Sequence, residues 1–283
     1  MQAFRRIAVL LLTIFGVLAS ATAPGIAAPS RVKPLPQAHA HNDYEHTRPL
    51  LDALANGFTS VEADIYLVDG ALLVGHDPDD LRPDRTLQSL YLEPLRQQVI
   101  ANHGRVHPGR PGLFQLLIDL KNTGAATYAE LDRVLRSPRY SWMFSQYVSG
   151  KVVRGAVDVV VSGDRPRQLM SGQRHRLAFY DGRMTDAADL GPGSDAKLAA
   201  LVSDNWTKLF TWNGVGPMPA AERAKLREIV ATAHRAGQRV RFWATPDSPG
   251  PEREAIWREL VTSGVDHLNT DDLSGLRAFL TRG

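Results

Sequence analysis

Glu62 and Asp64 stand two residues apart in the stretch Ser60 to Asp77, SVEADIYLVDGALLVGHD. Val61, Ile65 and Leu67 alternate there with Glu62, Asp64 and Tyr66, which is the period of a β-strand. Residues i and i+2 of a strand share a face, so the two carboxylates project together. Paired carboxylate oxygens suit a hard divalent cation. Asp69-Gly70 is a turn signal, and the apolar run Ala71 to Val74 brings the chain back, delivering His76 and Asp77 near the acids. A two-residue turn would pair His76 with Ala63, on the other face. A three-residue loop Val68-Asp69-Gly70, with Gly70 left-handed, pairs His76 with Glu62 and is the register expected here. Taken alone, the same residues describe an edge hairpin with solvated acids equally well.

Two other stretches carry compatible groups. His39 and His41 close a short strand, Gln37 to His41. The apolar run Leu113 to Leu120 is a buried strand ending in Asp119-Leu120-Lys121. If these ends meet, Glu62, Asp64 and Asp119 supply three carboxylate oxygens, a set for one Mg²⁺ or Ca²⁺ rather than zinc. Lys121, two residues past Asp119, lies on the same side and can contact a phosphate. A cation flanked by the imidazoles of His41 and His76 is what phosphodiester cleavage requires. The ion neutralises the non-bridging oxygens, one imidazole takes a proton from the attacking hydroxyl, and the other protonates the leaving oxygen. An attacking hydroxyl on the substrate itself would give a cyclic phosphate first.

The elements that must position these groups alternate. Strands are expected near residues 38, 61, 115, 158, 178, 210, 241 and 267. Helices are expected over Arg48 to Gly57, around Leu87 to Leu95, behind a capping box at Thr127 and Glu130, behind Ser194 with Leu198 and Leu201 inside, after Pro219, after Pro251, and over Leu273 to Leu280. The sixth strand is placed at Leu209 to Trp212. Eight β-then-α units predict an α/β fold of the (β/α)8 TIM-barrel type, whose C-terminal strand ends share one mouth. An open doubly wound sheet is the rival, but no glycine-rich phosphate loop follows any strand.

The run HNDYEHTRPLLDALANGFTSVEADIYLVDGALLVGHD resembles the glycerophosphodiester phosphodiesterase and phosphatidylinositol-phospholipase-C-like superfamily. The pattern is a His ending strand one, a helix ending in Gly, Glu-x-Asp, then an Asp-Gly hairpin into His-Asp. The resemblance implies that His41 and His76 are catalytic, that Glu62, Asp64 and Asp119 hold the metal, and that Trp243 is the aromatic of the seventh strand. Asp119-Leu120-Lys121 is closer to the sphingomyelinase D-like branch than to the Glu-x-Lys usual in the phosphodiesterases. The wording HNDY, RFWATPD and NTDDL is most similar to the altered-inheritance-of-mitochondria protein 6 subgroup. Where many members have His-Arg-Gly, with the Arg on phosphate, Asn42 and Asp43 stand here. Asn42 offers one neutral hydrogen bond instead. The implied substrate is a small-molecule or lipid phosphodiester, with transient contact at a membrane surface.

The N-terminus has the form of a leader. Arg5 and Arg6 precede the apolar run Ile7 to Leu18 and the small residues Ala19 to Ala23, which predicts a secretory signal over 1–28 and one catalytic domain over 29–283. The apolar run is shorter than the ~20 residues of a membrane span. The chain has no cysteine, so an exported domain would depend on its core alone, as roughly 250 residues allow. Without the leader, 31 basic residues face 30 acidic ones, a balance that gives no case for nucleic-acid binding.

Other chemistries use the same residues. His39-x-His41 also opens metal-dependent amidohydrolases and related phosphatases, with His175, His234 or His267 completing a zinc-type set. A non-catalytic barrel that holds a phosphorylated ligand is the third reading. Asp119 and Lys121 could form a structural ion pair, and Trp206, Trp212 and Trp243 could be core or rim aromatics. His103 and His107 fall in an Arg- and Pro-rich loop and are expected to be solvated.

Overall fold

Each barrel strand needs side chains that are apolar on its outer face, where helices cover it, and a chain long enough to cross the sheet. The computed structural model describes residues 32–109 and 112–282. The leader expected over 1–28 lies outside them. Eight parallel strands close into a barrel: Leu35–Ala40, Phe58–Val68, Phe114–Leu120, Val157–Gly163, Ala178–Arg183, Leu201–Asn205, Arg239–Trp243 and His267–Thr270. They pair in that order, and strand one joins both strand eight and strand two. Helices or helical turns follow most strands, so the architecture is the expected (β/α)8 barrel.

Alternation sorts the side chains. Val61, Ala63 and Ile65, with Leu116, Ile118, Val159 and Val161, pack outward into the main core. Glu62 pairs with Leu117, Leu117 with Val160, and Val160 with Phe179, all facing the other way. Leu117, Val160, Phe179 and Leu201 form a separate apolar plug inside the barrel. The remaining inward positions are polar: His39, Ser60, Glu62, Asp64, Gln115, Asp158, Asp181, Ser203, Arg241 and His267, all buried. Burying so many polar groups is tolerable only if they satisfy one another. That requirement, rather than apolar packing, organises the interior on both sides of the plug.

Three expectations are corrected. The hairpin closes through a two-residue turn, with Val68 opposite Ala71 and Ile65 opposite Val74. Asp69 and Gly70 both have positive φ, 48° and 79°, the geometry whose twist matches a two-residue hairpin. The three-residue loop is therefore wrong. His76 is not held opposite Glu62 by the ladder, which ends at Ile65–Val74. The sixth strand is Leu201–Asn205, where a helix behind Ser194 was expected; Leu209 ends the short helix Trp206–Leu209, and Phe210 to Trp212 is a loop. The error has a physical source. Phe210 is buried against Trp206 and Phe242, with ring centroids 4.2 and 5.8 Å apart, so aromatic burial imitated a strand. An apolar run of four or five residues has no period that separates strand from helix. The third helix also starts earlier than its expected cap: it spans Gly124–Leu135, and Thr127 Oγ1 donates back to the Asn122 carbonyl.

The helices after Pro219 and Pro251 do form, as Ala220–Arg235 and Pro251–Ser263. The second ends at Gly264 with φ 83°.

Candidate active site

Strand two presents Glu62 and Asp64, and strand three, in register beside it, sets Asp119 directly next to Asp64. One carboxylate oxygen from each of Glu62, Asp64 and Asp119 lies within 4.8 Å of the other two. Gly163 makes room for this approach. Its φ is 70°, and a Cβ there would collide with Asp119 Oδ1 and the Leu120 carbonyl.

Each acid is held differently. Glu62 Oε2 accepts from Arg241 Nη2 at 2.6 Å and lies 3.3 Å from His39 Nε2. Burial alone would raise the Glu62 pKa, but the Arg241 charge and the His39 hydrogen bond reverse this and hold it well below the usual carboxylate range. Asp64 Oδ2 lies 2.8 Å from Lys121 Nζ and 2.7 Å from Tyr44 Oη, while its Oδ1 is buried with no partner among the described residues. Burial, with the charges of Glu62 and Asp119, pushes Asp64 up to about 7. Burial raises Asp119 as well, against the pull of Lys121. Three acids that oppose one another's ionisation, with one orphaned oxygen, are a donor set that a hard cation would satisfy. Lys121 is where the spacing put it, but its ammonium is committed to Asp64, with Asp119 at 3.6 Å, rather than standing free for a phosphate.

A directional chain runs beneath Glu62. Gln115 Nε2 donates to Ser60 Oγ at 2.8 Å, and Ser60 Oγ lies 2.6 Å from His39 Nδ1. The proton on Ser60 Oγ then points to His39 Nδ1, and His39 donates from Nε2 to Glu62, a tautomer assigned from this network. Burial and the Arg241 charge lower His39 to about 4, so it is neutral. His39 thus orients Glu62 rather than facing a substrate.

His41 continues strand one at the mouth, its N–H donating to the Thr270 carbonyl at 3.0 Å. Its Nδ1 lies 2.7 Å from Asp271 Oδ1. Asp271 is itself fixed, since its N–H donates to Asp247 Oδ2 at 2.7 Å. Burial opposes the charged imidazole, but the Asp271 hydrogen bond and the Glu62 charge raise the His41 pKa above its ordinary value. Asn42, at φ 45°, turns the chain away and accepts from Tyr44 Oη at 2.8 Å. Trp243 is half-buried at the end of strand seven, level with Asn205. His76 sits on an exposed loop, its Nδ1 3.0 Å from Asp77 Oδ2. Its carbonyl accepts from Tyr66 Oη at 3.0 Å, and alternation puts Tyr66 on the face of Glu62 and Asp64, so the loop swings over that face. No hydrogen bond joins the His76 ring to the three acids.

The histidines of the zinc-type alternative do not gather. His175 bonds to Gln146, His234 to Asp266, and His267 is buried below His39 with ring centroids 6.0 Å apart. Among the described residues the acid trio is the one group placed to hold a metal. His107 is not the solvated loop residue expected, since its Nε2 lies 2.7 Å from the Phe58 carbonyl.

Two arginines went unnoticed in the sequence. Arg241 shares a face with Arg239 and Trp243 on RVRFW, alternating with Val240 and Phe242, and that period aims it inward at Glu62. Arg183 is the last residue of strand five. It bonds Asp181 Oδ2 at 2.7 Å, and Asp181 also accepts from Ser162 and Ser203.

Comparison with known proteins identifies the family. Residues 28–181 match the AIM6-like phosphodiesterase domain, and that segment carries the trio, His41 and His76. The chain belongs to this family. Residues 239–274, with Arg241 and Asp271, match the glycerophosphoryl diester phosphodiesterase family. The chain is 29% identical to the altered inheritance of mitochondria protein 6 homolog of Arthroderma benhamiae, over 88% of this chain and 84% of that protein. It is 33% identical to the altered inheritance of mitochondria protein 6 of Eremothecium gossypii, over 87% of this chain and 69% of the relative.

One consequence is independent of catalysis. Asp43, beside the site and buried, accepts from the Leu50 N–H at 2.6 Å, and burial raises it to about 7. In the unfolded chain it ionises near the usual ~3.9. The folded state therefore holds a proton that the unfolded state has lost, so this residue makes stability fall as pH rises from about 4 to about 7, and no further above that. Asp43→Asn is expected to remove that slope, which urea titrations at pH 4.5 and 8 would measure.

Proposed function

We propose that this chain is an extracytoplasmic phosphoric diester hydrolase that uses one hard divalent cation and acts on a glycerophosphodiester or phospholipid-type substrate. The observation that carries this is the convergence of Glu62, Asp64 and Asp119 within 4.8 Å at the barrel mouth, where His41 is anchored by Asp271. Glu62, Asp64 and Asp119 would hold Mg²⁺ or Ca²⁺, which when bound supplies charge neutralisation at the phosphate oxygens. Lys121, 2.8 Å from Asp64, would be free to contact a phosphate oxygen once Asp64 held the ion instead. Because Asp271 occupies Nδ1 of His41, Nε2 is its proton-transfer atom, and the raised pKa favours the protonated ring. His41 is thus assigned the leaving-oxygen proton. His76, steadied by Asp77, is assigned the proton of the attacking hydroxyl. Export rests on Arg5, Arg6 and the apolar run behind them.

A panel of glycerophosphocholine, lysophosphatidylcholine and a chromogenic phosphodiester, followed by phosphorus NMR, tests the reading. Turnover is expected with Mg²⁺ or Ca²⁺, abolished by chelation and restored by either ion. Rescue by Zn²⁺ alone would reinstate the amidohydrolase reading. Cation binding with no hydrolysis of any diester would leave a ligand-binding barrel.

A further inference from the structure

At the opposite end of the barrel, where the strands begin, the structure holds a cavity of about 410 Å³. Pro36 and Gln37 of strand one, Thr59 of strand two, Phe114 and Gln115 of strand three, Arg239 of strand seven, and Val265 to His267 leading into strand eight line it. This volume is in the range of small-molecule sites, and active sites of this fold occupy the other face. Nothing in the proposed hydrolysis uses it.

Its polar groups are buried and incompletely paired. His267 is 5% exposed, and neither ring nitrogen finds a hydrogen-bond partner among the described residues. Gln115 is 1% exposed and spends its Nε2 on Ser60, leaving Oε1 without a donor. Arg239 Nη2 stands 3.4 Å from Asp158 Oδ2 without forming a hydrogen bond. Buried polar groups are ordinarily hydrogen-bonded, so three residues with unpaired atoms at one cavity point to an occupant.

The unpaired set defines its chemistry. Burial, with the charge of Arg239, keeps His267 neutral, so it offers one donor and one acceptor. Arg239 adds a donor and Gln115 an acceptor. The charges are already balanced: Asp158 faces Arg239 and Arg154, and Asp266 is held by the Val240 N–H and His234. An anion or a cation would therefore bury an unmatched charge. Pro34, Pro36, Val106, Leu113, Phe114 and Val265 add apolar wall, beside the polar Gln37, Thr59 and His107.

We propose that this basal cavity is a second binding site, built for a small neutral ligand that carries a hydrogen-bond donor beside an acceptor on an apolar body, as a carboxamide does. Its oxygen would accept from Arg239 or His267, and its N–H would donate to Gln115 Oε1 or the free imidazole nitrogen.

Saturation-transfer NMR and calorimetry with benzamide, its anionic isostere benzoate and its apolar isostere toluene test this without any need for turnover. Benzamide is expected to bind about 10-fold more tightly than either isostere, the value of one or two buried hydrogen bonds. His267→Phe removes both ring nitrogens at similar volume, and Leu113→Trp fills the rim from a half-exposed position. Each is expected to weaken benzamide by about 10-fold or more, with melting curves confirming the fold. Absence of benzamide binding, equal or tighter binding of benzoate, or unchanged affinity in both variants would overturn the proposal. Because these readouts ignore hydrolysis, they stand or fall separately from the phosphodiesterase reading.

Discussion

Replacing His41 with alanine is expected to lower kcat on any hydrolysed diester by about 10²–10⁴-fold, the usual worth of a positioned proton donor. The fold should be unaffected, because the ring is partly exposed at the mouth and its one side-chain bond is to exposed Asp271. Asp271→Asn isolates the anchoring role. It keeps the shape at Nδ1 but removes the negative charge that helps hold the imidazole protonated, so the pH at which activity declines on the alkaline side should move down. A substrate with a strongly acidic leaving group, such as 4-nitrophenol, needs less protonation. Both variants should recover most of their loss on it. A His41→Ala enzyme with wild-type turnover on a poor leaving group would remove the assignment.

The second large effect is on stability. Arg241 pairs with Glu62 in a region where neither side chain exceeds 8% exposure, and its Nε donates to Asn269 Oδ1 at 2.8 Å. Arg241→Leu leaves a carboxylate in the barrel interior whose remaining side-chain hydrogen-bond partner is neutral His39. Breaking such a pair from one side costs about 3–5 kcal/mol, because the remaining charge is buried and uncompensated. Urea denaturation at pH 7 should show this loss. The double variant Arg241→Leu/Glu62→Gln should regain much of it, since removing both charges leaves no such penalty. The pH dependence follows from sign. Glu62 has a folded pKa below its unfolded value of ~4.3, so its contribution is present above that pH and lost as pH falls through and below it. Arg241→Leu should flatten this acid limb. If the single variant is as stable as wild type, Glu62 is not the buried, Arg-held carboxylate described here.

These two residues differ in how visible they were. His41 stands at the end of a recognisable strand, in a run whose spacing already implied hydrolytic chemistry, whereas Arg241 is separated from Glu62 by 179 positions and meets it only because the barrel closes. Strand alternation could have put Arg241 on the inner face, but nothing local names its partner. The misread sixth strand shows the same limit from the other side. Leu198 to Leu201 and Leu209 to Trp212 are both short apolar runs, and which one joins the sheet depends on the strands flanking Leu201–Asn205, not on its own residues. The hairpin is the converse case: Asp69-Gly70 was found, but the loop length chosen for it was not the one whose twist the strands accept.

The sequence by itself determined the alternation of elements, the carboxylate pair of strand two, and the acid and lysine ending strand three, because strand period and turn chemistry act over a few residues. Only the tertiary structure decided that Lys121 neutralises Asp64, that Arg241 and His39 clamp Glu62, that Asp271 holds His41, and that His76 rides a loop beyond the paired ladder. Those pairings are between groups far apart in the chain. In a low-dielectric interior each buried charge or polar atom must find a partner, and which partner is within reach is fixed by barrel closure, not by sequence distance.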